Sequence, residues 1–160
     1  MDEATFRATC GYYATGVSVL TMVSRSGEVH GLTANSFTSL SLSPPLVLVC
    51  VDKAIASYPA MLETKGFLVN ILTDQQEELA RQFATPDIDK FAGVTTTPGP
   101  FGAPRLKDCL AYLAARSLSN TDGGDHTIFI GEATETELGE GLPLIFYRGM
   151  YGLPGAVTAP

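Results

Sequence analysis

From Val17 to Val23 the chain alternates valine, leucine and methionine with serine and threonine, the two-residue period of a strand with one face in a core. Arg25-Ser26-Gly27-Glu28 reads as a hairpin turn, and Val29–Ser36 returns as a second strand. Ser43-Pro44-Pro45 forces an extended corner, because proline disfavours the helical region for the residue before it. Leu46–Val51 is apolar at every position, which predicts a strand buried on both sides near the centre of the fold, ended by Asp52-Lys53. Phe67–Leu72 is another strand, and Leu144–Tyr147 a last one. Arg105–Ser119 and Thr127–Leu138 read as two long strands joined by a polar link over 120–125.

The helical period appears in three places. Phe6, Cys10 and Tyr13 fall at helical spacing, so an amphipathic helix is expected over 3–13, broken by Ala14-Thr15-Gly16. A short helix is expected over Ile55–Thr64, closed by Lys65-Gly66. Thr73 and Gln76 have capping-box spacing ahead of Leu79 and Phe83, which predicts a helix over 74–84 that Pro86 ends. Residues 93–104 read as a surface loop, and Pro154–Pro160 as a frayed tail. About seven strands and two or three short helices point to a mainly β protein, a small barrel with helical covers, with a sandwich as the alternative.

Composition narrows this picture. The 160 residues fit a single domain with its core over about 5–153, and a hydrophobic share of 45% against 17% charged residues describes a folded chain. A net charge of −7 argues against a surface that tracks nucleic-acid phosphates. Three scattered cysteines, Cys10, Cys50 and Cys109, lie outside metal-ligand spacing and argue for a reducing compartment. The acidic start has neither the basic nor the apolar region of a signal peptide, and no run reaches a membrane span; a cytoplasmic protein with no membrane partner is expected.

The familiar side-chain machinery is missing from the sequence: no nucleophile elbow, Walker loop, dinucleotide glycine fingerprint, HExxH or CxxC. With only His30 and His126, three-histidine metal sites are excluded. No residue stands out as an acid, base or nucleophile, which favours chemistry supplied by a bound cofactor. Thr33-Ala34-Asn35-Ser36-Phe37-Thr38-Ser39-Leu40-Ser41 offers many small hydrogen-bonding groups; it is either a serine-rich edge strand or the lining for a flat polar heterocycle. Asp52, Lys53 and Ser57 stand at a strand end before a helix, as ordinary solvation and capping or as a phosphate site. Gly123-Gly124-Asp125-His126 presents a histidine beside a carboxylate, and Phe146-Tyr147-Arg148-Gly149 an arginine beside aromatic rings; each is either a surface turn or a nucleotide contact.

FRATCGYYATGVSVLT, HGLTANSFTSLSLSPPLVLVCVDK, GFLVNIL, LARQFA, DKF, GGDHTIFIGE and PLIFYRGMY occur in the order found in the flavin reductase-like family, whose fold is the FMN-binding split β-barrel. The resemblance covers roughly residues 5–151 and is nearest to the reductase components of two-component flavin monooxygenases. It implies an NAD(P)H:flavin oxidoreductase that reduces FMN or FAD, with NADH or NADPH as hydride donor to flavin N5. It further implies a homodimer that hands reduced flavin to a partner monooxygenase. By resemblance, Thr33, Ala34, Asn35, Ser36 and Ser39 line the flavin, Asp52, Lys53 and Ser57 lie by its phosphate, and Phe83, Ala84 and Phe91 complete the pocket. His126, Tyr147 and Arg148 match the positions that meet the nicotinamide nucleotide. Two departures stand out: Ala114-Ala115-Arg116 replaces a frequent Glu-Cys before the basic residue, and Val94–Pro104 has no match. A non-catalytic flavin carrier of the same class is the rival reading, and a flavin-dependent oxidase with its own organic substrate a weaker third.

Overall fold

The computed structural model describes residues 1–152, so the expected tail at 154–160 and the core boundary at 153 lie outside the described residues. Helix α1 (Glu3–Gly11) opens the chain, capped by Asp2, whose carboxylate accepts from Thr5 N at 2.9 Å. Strands β1 (Thr15–Gly16), β2 (Ser18–Val23), β3 (Val29–Ala34), β4 (Thr38–Leu42) and β5 (Pro45–Asp52) follow. Next come α2 (Tyr58–Glu63), β6 (Gly66–Ile71), α3 (Glu77–Ala84), and the small hairpin β7 (Thr96–Pro98) and β8 (Pro104–Leu106). The long pair β9 (Ala111–Gly123) and β10 (His126–Leu138) leads to β11 (Ile145–Tyr147) and β12 (Met150–Gly152).

Seven strands form one sheet in the order β3-β2-β6-β9-β10-β5-β4, and β1, β11 and β12 form a second, three-stranded sheet. The protein is mostly β with few short helices, and its large sheet ends on β3 and β4 without closing. One core lies inside the curve of this sheet around Leu20, Met22, Val49, Phe67 and Val69. A second, around Val19, Leu72, Ala80, Phe83 and Leu144, lies under α3 and the small sheet. Strand β2 runs between these two cores, and β6 between the first and a third cluster of Leu68, Ala103, Tyr112 and Ala114, which is why nearly all of their residues are buried.

Several boundaries differ from the sequence pattern, each for a local reason. The two-sided burial expected at Leu46–Val51 belongs instead to β2 and β6; β5 alternates, with Val47, Val49 and Val51 inside and Leu46, Leu48 and Cys50 half-buried. β5 is one strand from the sheet edge, and its outer side chains are only half-buried among the described residues. α1 stops at Gly11 and buries none of its residues, so its apolar stripe of Phe6 and Cys10 faces out. The second strand ends at Ala34, because Asn35-Ser36-Phe37 cross over to β4. The predicted polar link at 120–125 is mostly strand: only Gly124 and Asp125 turn, and Asn120–Asp122 are polar because this end of the hairpin projects into solvent. The 74–84 helix begins as a single 3-10 turn, with both capping-box hydrogen bonds formed between Thr73 and Gln76. The 93–104 loop contains β7.

Candidate functional site

The stretch between α1 and β2 runs beside the crossover from β3 to β4, and a cleft of about 590 Å³ lies between them. Tyr13, Thr15 and Val17 line one side, Asn35 and Phe37 another, and Cys50 of β5 contributes as well. That volume is in the range of small-molecule sites. A smaller neighbouring hollow of about 180 Å³ shares Val17 and Asn35 and adds Thr33, Ala84, Phe146 and Tyr151. Burial pushes the Cys50 thiol up, so it stands as a neutral group. Among the described residues the larger cleft is lined by no carboxylate, histidine, lysine or arginine. Such a wall can bind and orient a polar, flat molecule, and supplies no acid or base of its own.

Not every hydroxyl in the 33–41 run is free for a ligand. Ser36 Oγ donates to Cys50 O at 2.8 Å and accepts from Cys50 N at 3.1 Å, fastening the crossover to β5. Thr33 Oγ1 donates to Ala80 O at 2.6 Å, which ties β3 to α3. Asn35 is exposed, Ala34 is buried with its carbonyl accepting from Ser18 Oγ, and Ser39 is exposed on β4 away from the cleft lining. Phe83 is fully buried beneath Gly31 and meets Phe91 edge-on, ring centroids 5.0 Å apart. Thr15, which the sequence analysis read only as part of a helix break, lines the cleft, and its Oγ1 is buried without a hydrogen-bond partner. A buried hydroxyl left so is expected to meet a ligand or solvent group. The signal for it was present: a small polar pair between two aromatic residues and a strand.

The charged residues lie outside the cleft. Lys53 Nζ is bonded to the Asp122 carboxylate and the Gly124 carbonyl, closing the β9–β10 turn against the end of β5. Asp122 accordingly sits below the usual carboxylate range and Lys53 above the usual lysine range, chiefly through that hydrogen bond. Ser57 is buried and donates to Gly31 O at 3.0 Å, while Asp52 accepts from Ala54 N at 2.8 Å. His126 pairs in register with Asp52, two residues along from the Ile128–Cys50 pair, so it stands about 7 Å along the sheet from the cleft wall. Its Nδ1 lies 2.8 Å from Asp125, whose carboxyl this contact lowers. Tyr147 precedes a two-residue turn in which Arg148 and Gly149 both have positive φ (51° and 80°), the conformation that matches strand twist. The Arg148 guanidinium lies 4.6 Å from the Tyr12 ring centre, and the Arg148 backbone N–H donates to Gly11 O, so this turn pins the end of α1.

The sheet order, the cleft and its neutral lining together define a cofactor-binding β fold. The chain belongs to the flavin reductase-like family, whose family model matches residues 10–153. It is 41% identical over 152 residues to the reductase component of a 4-nitrophenol 4-monooxygenase/4-nitrocatechol 2-monooxygenase from Rhodococcus opacus, covering 95% of this chain and 81% of that one. It is 38% identical over 162 residues to the flavin-dependent monooxygenase reductase subunit HsaB of Rhodococcus jostii, covering 100% and 83%. Among solved structures, the Streptomyces globisporus NADH:FAD oxidoreductase SgcE6, in complex with NAD and FAD fragments, superposes with a TM-score of 0.91 at 36% identity, covering 99% of this chain and 96% of that one. Among the described residues no helix is long and apolar enough to cross a membrane.

Proposed function

We propose that this chain is an NAD(P)H-dependent flavin reductase that binds FMN or FAD in the cleft between Thr15 and Asn35 and supplies reduced flavin to a partner monooxygenase. The observation that carries the reading is the orphaned Thr15 hydroxyl in a neutral cleft of about 590 Å³. Flat apolar area with a few hydrogen-bonding groups at its rim suits the isoalloxazine ring, so the residues present fit the cofactor. Bound flavin would supply the hydride acceptor and the nicotinamide nucleotide the hydride. The chain's own part is to orient: Asn35 and Thr15 would hold the ring by hydrogen bonds, and the walls from Val17 and Phe37 would exclude water. With no acid or base in the lining, alignment rather than proton relay sets the rate. Steady-state loss of NADH or NADPH absorbance, with FMN and FAD as acceptors, tests the reading; flavin binding with no turnover by either nucleotide would make the chain a carrier instead.

His126 is proposed to position the nicotinamide nucleotide, with Asp125 orienting the imidazole, and Tyr147 and Arg148 to border the same ligand. His126→Ala is expected to raise KM for NADH roughly five- to thirtyfold, the worth of one good polar contact, without lowering the melting temperature. Turnover and KM equal to wild type would remove His126 from this role.

The active species is proposed to be a homodimer. Leu48 and Cys50 of β5 and Ile128 and Ile130 of β10 are cross-strand partners on one face, all half-buried. The apolar face formed by Leu48, Cys50, Ile128 and Ile130 supports a protein interface. Ile130→Lys puts a charge in its middle and is expected to shift the sedimenting species from two chains to one. A wild-type protein that sediments as a single chain at micromolar concentration would refute the dimer.

A further inference from the structure

A second cleft, of about 500 Å³, lies at the far end of β2 from the first and is lined by Val23, Ser24, Arg25, Glu63, Lys65 and Phe101. Ser18 borders the first cleft and Val23 the second, five strand positions or about 17 Å apart. Three segments meet there: the turn after β2, the end of α2 with the residue before β6, and the 3-10 turn between β7 and β8. The last of these falls in Val94–Pro104, the stretch without a family match. None of the residues proposed for flavin or for the nicotinamide nucleotide lines this cleft.

Each segment is held in place. Ser24 N donates to Glu28 O at 2.9 Å and Gly27 N to Ser24 O at 3.0 Å, which sets the turn that carries Arg25. Arg25 N donates to Glu63 Oε1 at 3.3 Å, tying that turn to the end of α2. Ser117 N donates to Lys65 O at 3.0 Å, and Thr64 Oγ1 to Gly66 O at 2.7 Å, so the backbone around Lys65 is fixed. Phe101 has a φ of 60°, an uncommon conformation for a bulky residue, and its ring lies on Gly66, where a Cβ would come within 2.4 Å of it. The ring is a fixed apolar wall, packed with Val23 against the third cluster. Among the described residues neither Arg25 nor Lys65 has a carboxylate within 4.0 Å of its charged group, whereas Arg7, Lys53, Arg81, Arg105 and Arg116 each have one. Two unpaired cations beside an aromatic wall complement an anionic group carried on a flat apolar ring.

We infer that this second cleft binds a small aromatic carboxylate, its anionic group between Arg25 and Lys65 and its ring against Phe101 and Val23. The site is separate from the flavin cleft and stands or falls apart from the reductase reading. Equilibrium dialysis of radiolabelled benzoate against the protein, with and without saturating FMN, tests it. Benzoate is expected to bind with a Kd below about 1 mM at low salt, and FMN to leave that constant unchanged. Benzamide, the same ring without the charge, is expected to compete at least about tenfold less well. Arg25→Met and Lys65→Met are each expected to weaken benzoate about tenfold, with the melting temperature of wild type, since both side chains are exposed. Glu63→Gln keeps the oxygen that accepts from Arg25 N and removes a negative charge from the cleft, so it is expected to tighten benzoate roughly two- to fivefold. Wild-type protein that leaves benzoate unbound at about 10 mM would overturn the inference. So would displacement of benzoate by FMN, which would place it in the first cleft. Benzamide that competes as well as benzoate, or undiminished binding in the double variant Arg25→Met, Lys65→Met, would overturn it too.

Discussion

Asn70→Asp is expected to destabilise the fold by about 4 kcal/mol, the range for leaving a buried polar network with an uncompensated charge. Asn70 is fully buried on β6. Its Nδ2 donates to Val19 O at 3.0 Å and to Thr21 Oγ1 at 3.3 Å, and its Oδ1 accepts from Leu106 N at 3.0 Å. One fully buried side chain thus joins β6, β2 and β8. Aspartate keeps the acceptor for Leu106 but turns an oxygen toward Val19 O. The new carboxyl, buried without a cation, has a folded pKa above its unfolded value of about 3.9, so the unfolded state releases its proton first. Stability of the variant therefore falls as pH rises above about 4 and recovers toward wild type as pH drops, a sign opposite to that of a salt-bridged aspartate. Urea denaturation at two pH values measures this. A loss under about 1 kcal/mol at neutral pH would mean that the Asn70 hydrogen bonds do not hold the strands.

Gly16→Phe is expected to abolish flavin binding and leave the fold intact. Gly16 lines the main cleft, and a Cβ built on it meets nothing within 4 Å. Its backbone is outside the positive-φ residues, so a side chain adds no strain. A phenyl ring there enters the volume proposed for the isoalloxazine. Affinity should drop by at least about 3 kcal/mol, roughly a hundredfold, with the melting temperature near that of wild type. A variant that binds FMN normally would show that the cleft is not the flavin site. A variant that fails to fold would be visible in the same melting experiment, and Gly16→Leu gives a smaller probe of the same space.

The contrast between these two positions shows what the sequence made legible. The strands that alternate, such as β2, and the capped helix at Thr73–Gln76 were readable because their signals are local. Asn70 was not readable as a keystone, since its partners lie 36 to 51 positions away in the chain. The Leu46–Val51 run differs for a related reason: apolar residues on both faces predict burial on both faces, but among the described residues only one face is fully buried and the other half-buried. The candidate site is legible in part: of the residues that the resemblance assigns to the flavin, Ala34, Asn35 and Ser36 line the cleft, and Thr33 and Ala84 its neighbour. Lys53 was chosen for its place at a strand end, and a cross-strand carboxylate, Asp122, takes it up. Gly16 is not legible as part of the cleft wall, because what marks it is the open space beside its Cα, a property that exists only in three dimensions.

The central claim is that this protein passes hydride from a nicotinamide nucleotide to flavin in the cleft. The most direct measurement is the visible absorbance of FMN, or of FAD, mixed with excess NADH or NADPH in the absence of air, with catalytic amounts of the protein. The flavin is expected to bleach at a rate proportional to protein concentration, and Gly16→Phe to remove this rate. Flavin that stays oxidised with both nucleotides, at the rate of the protein-free control, would contradict it.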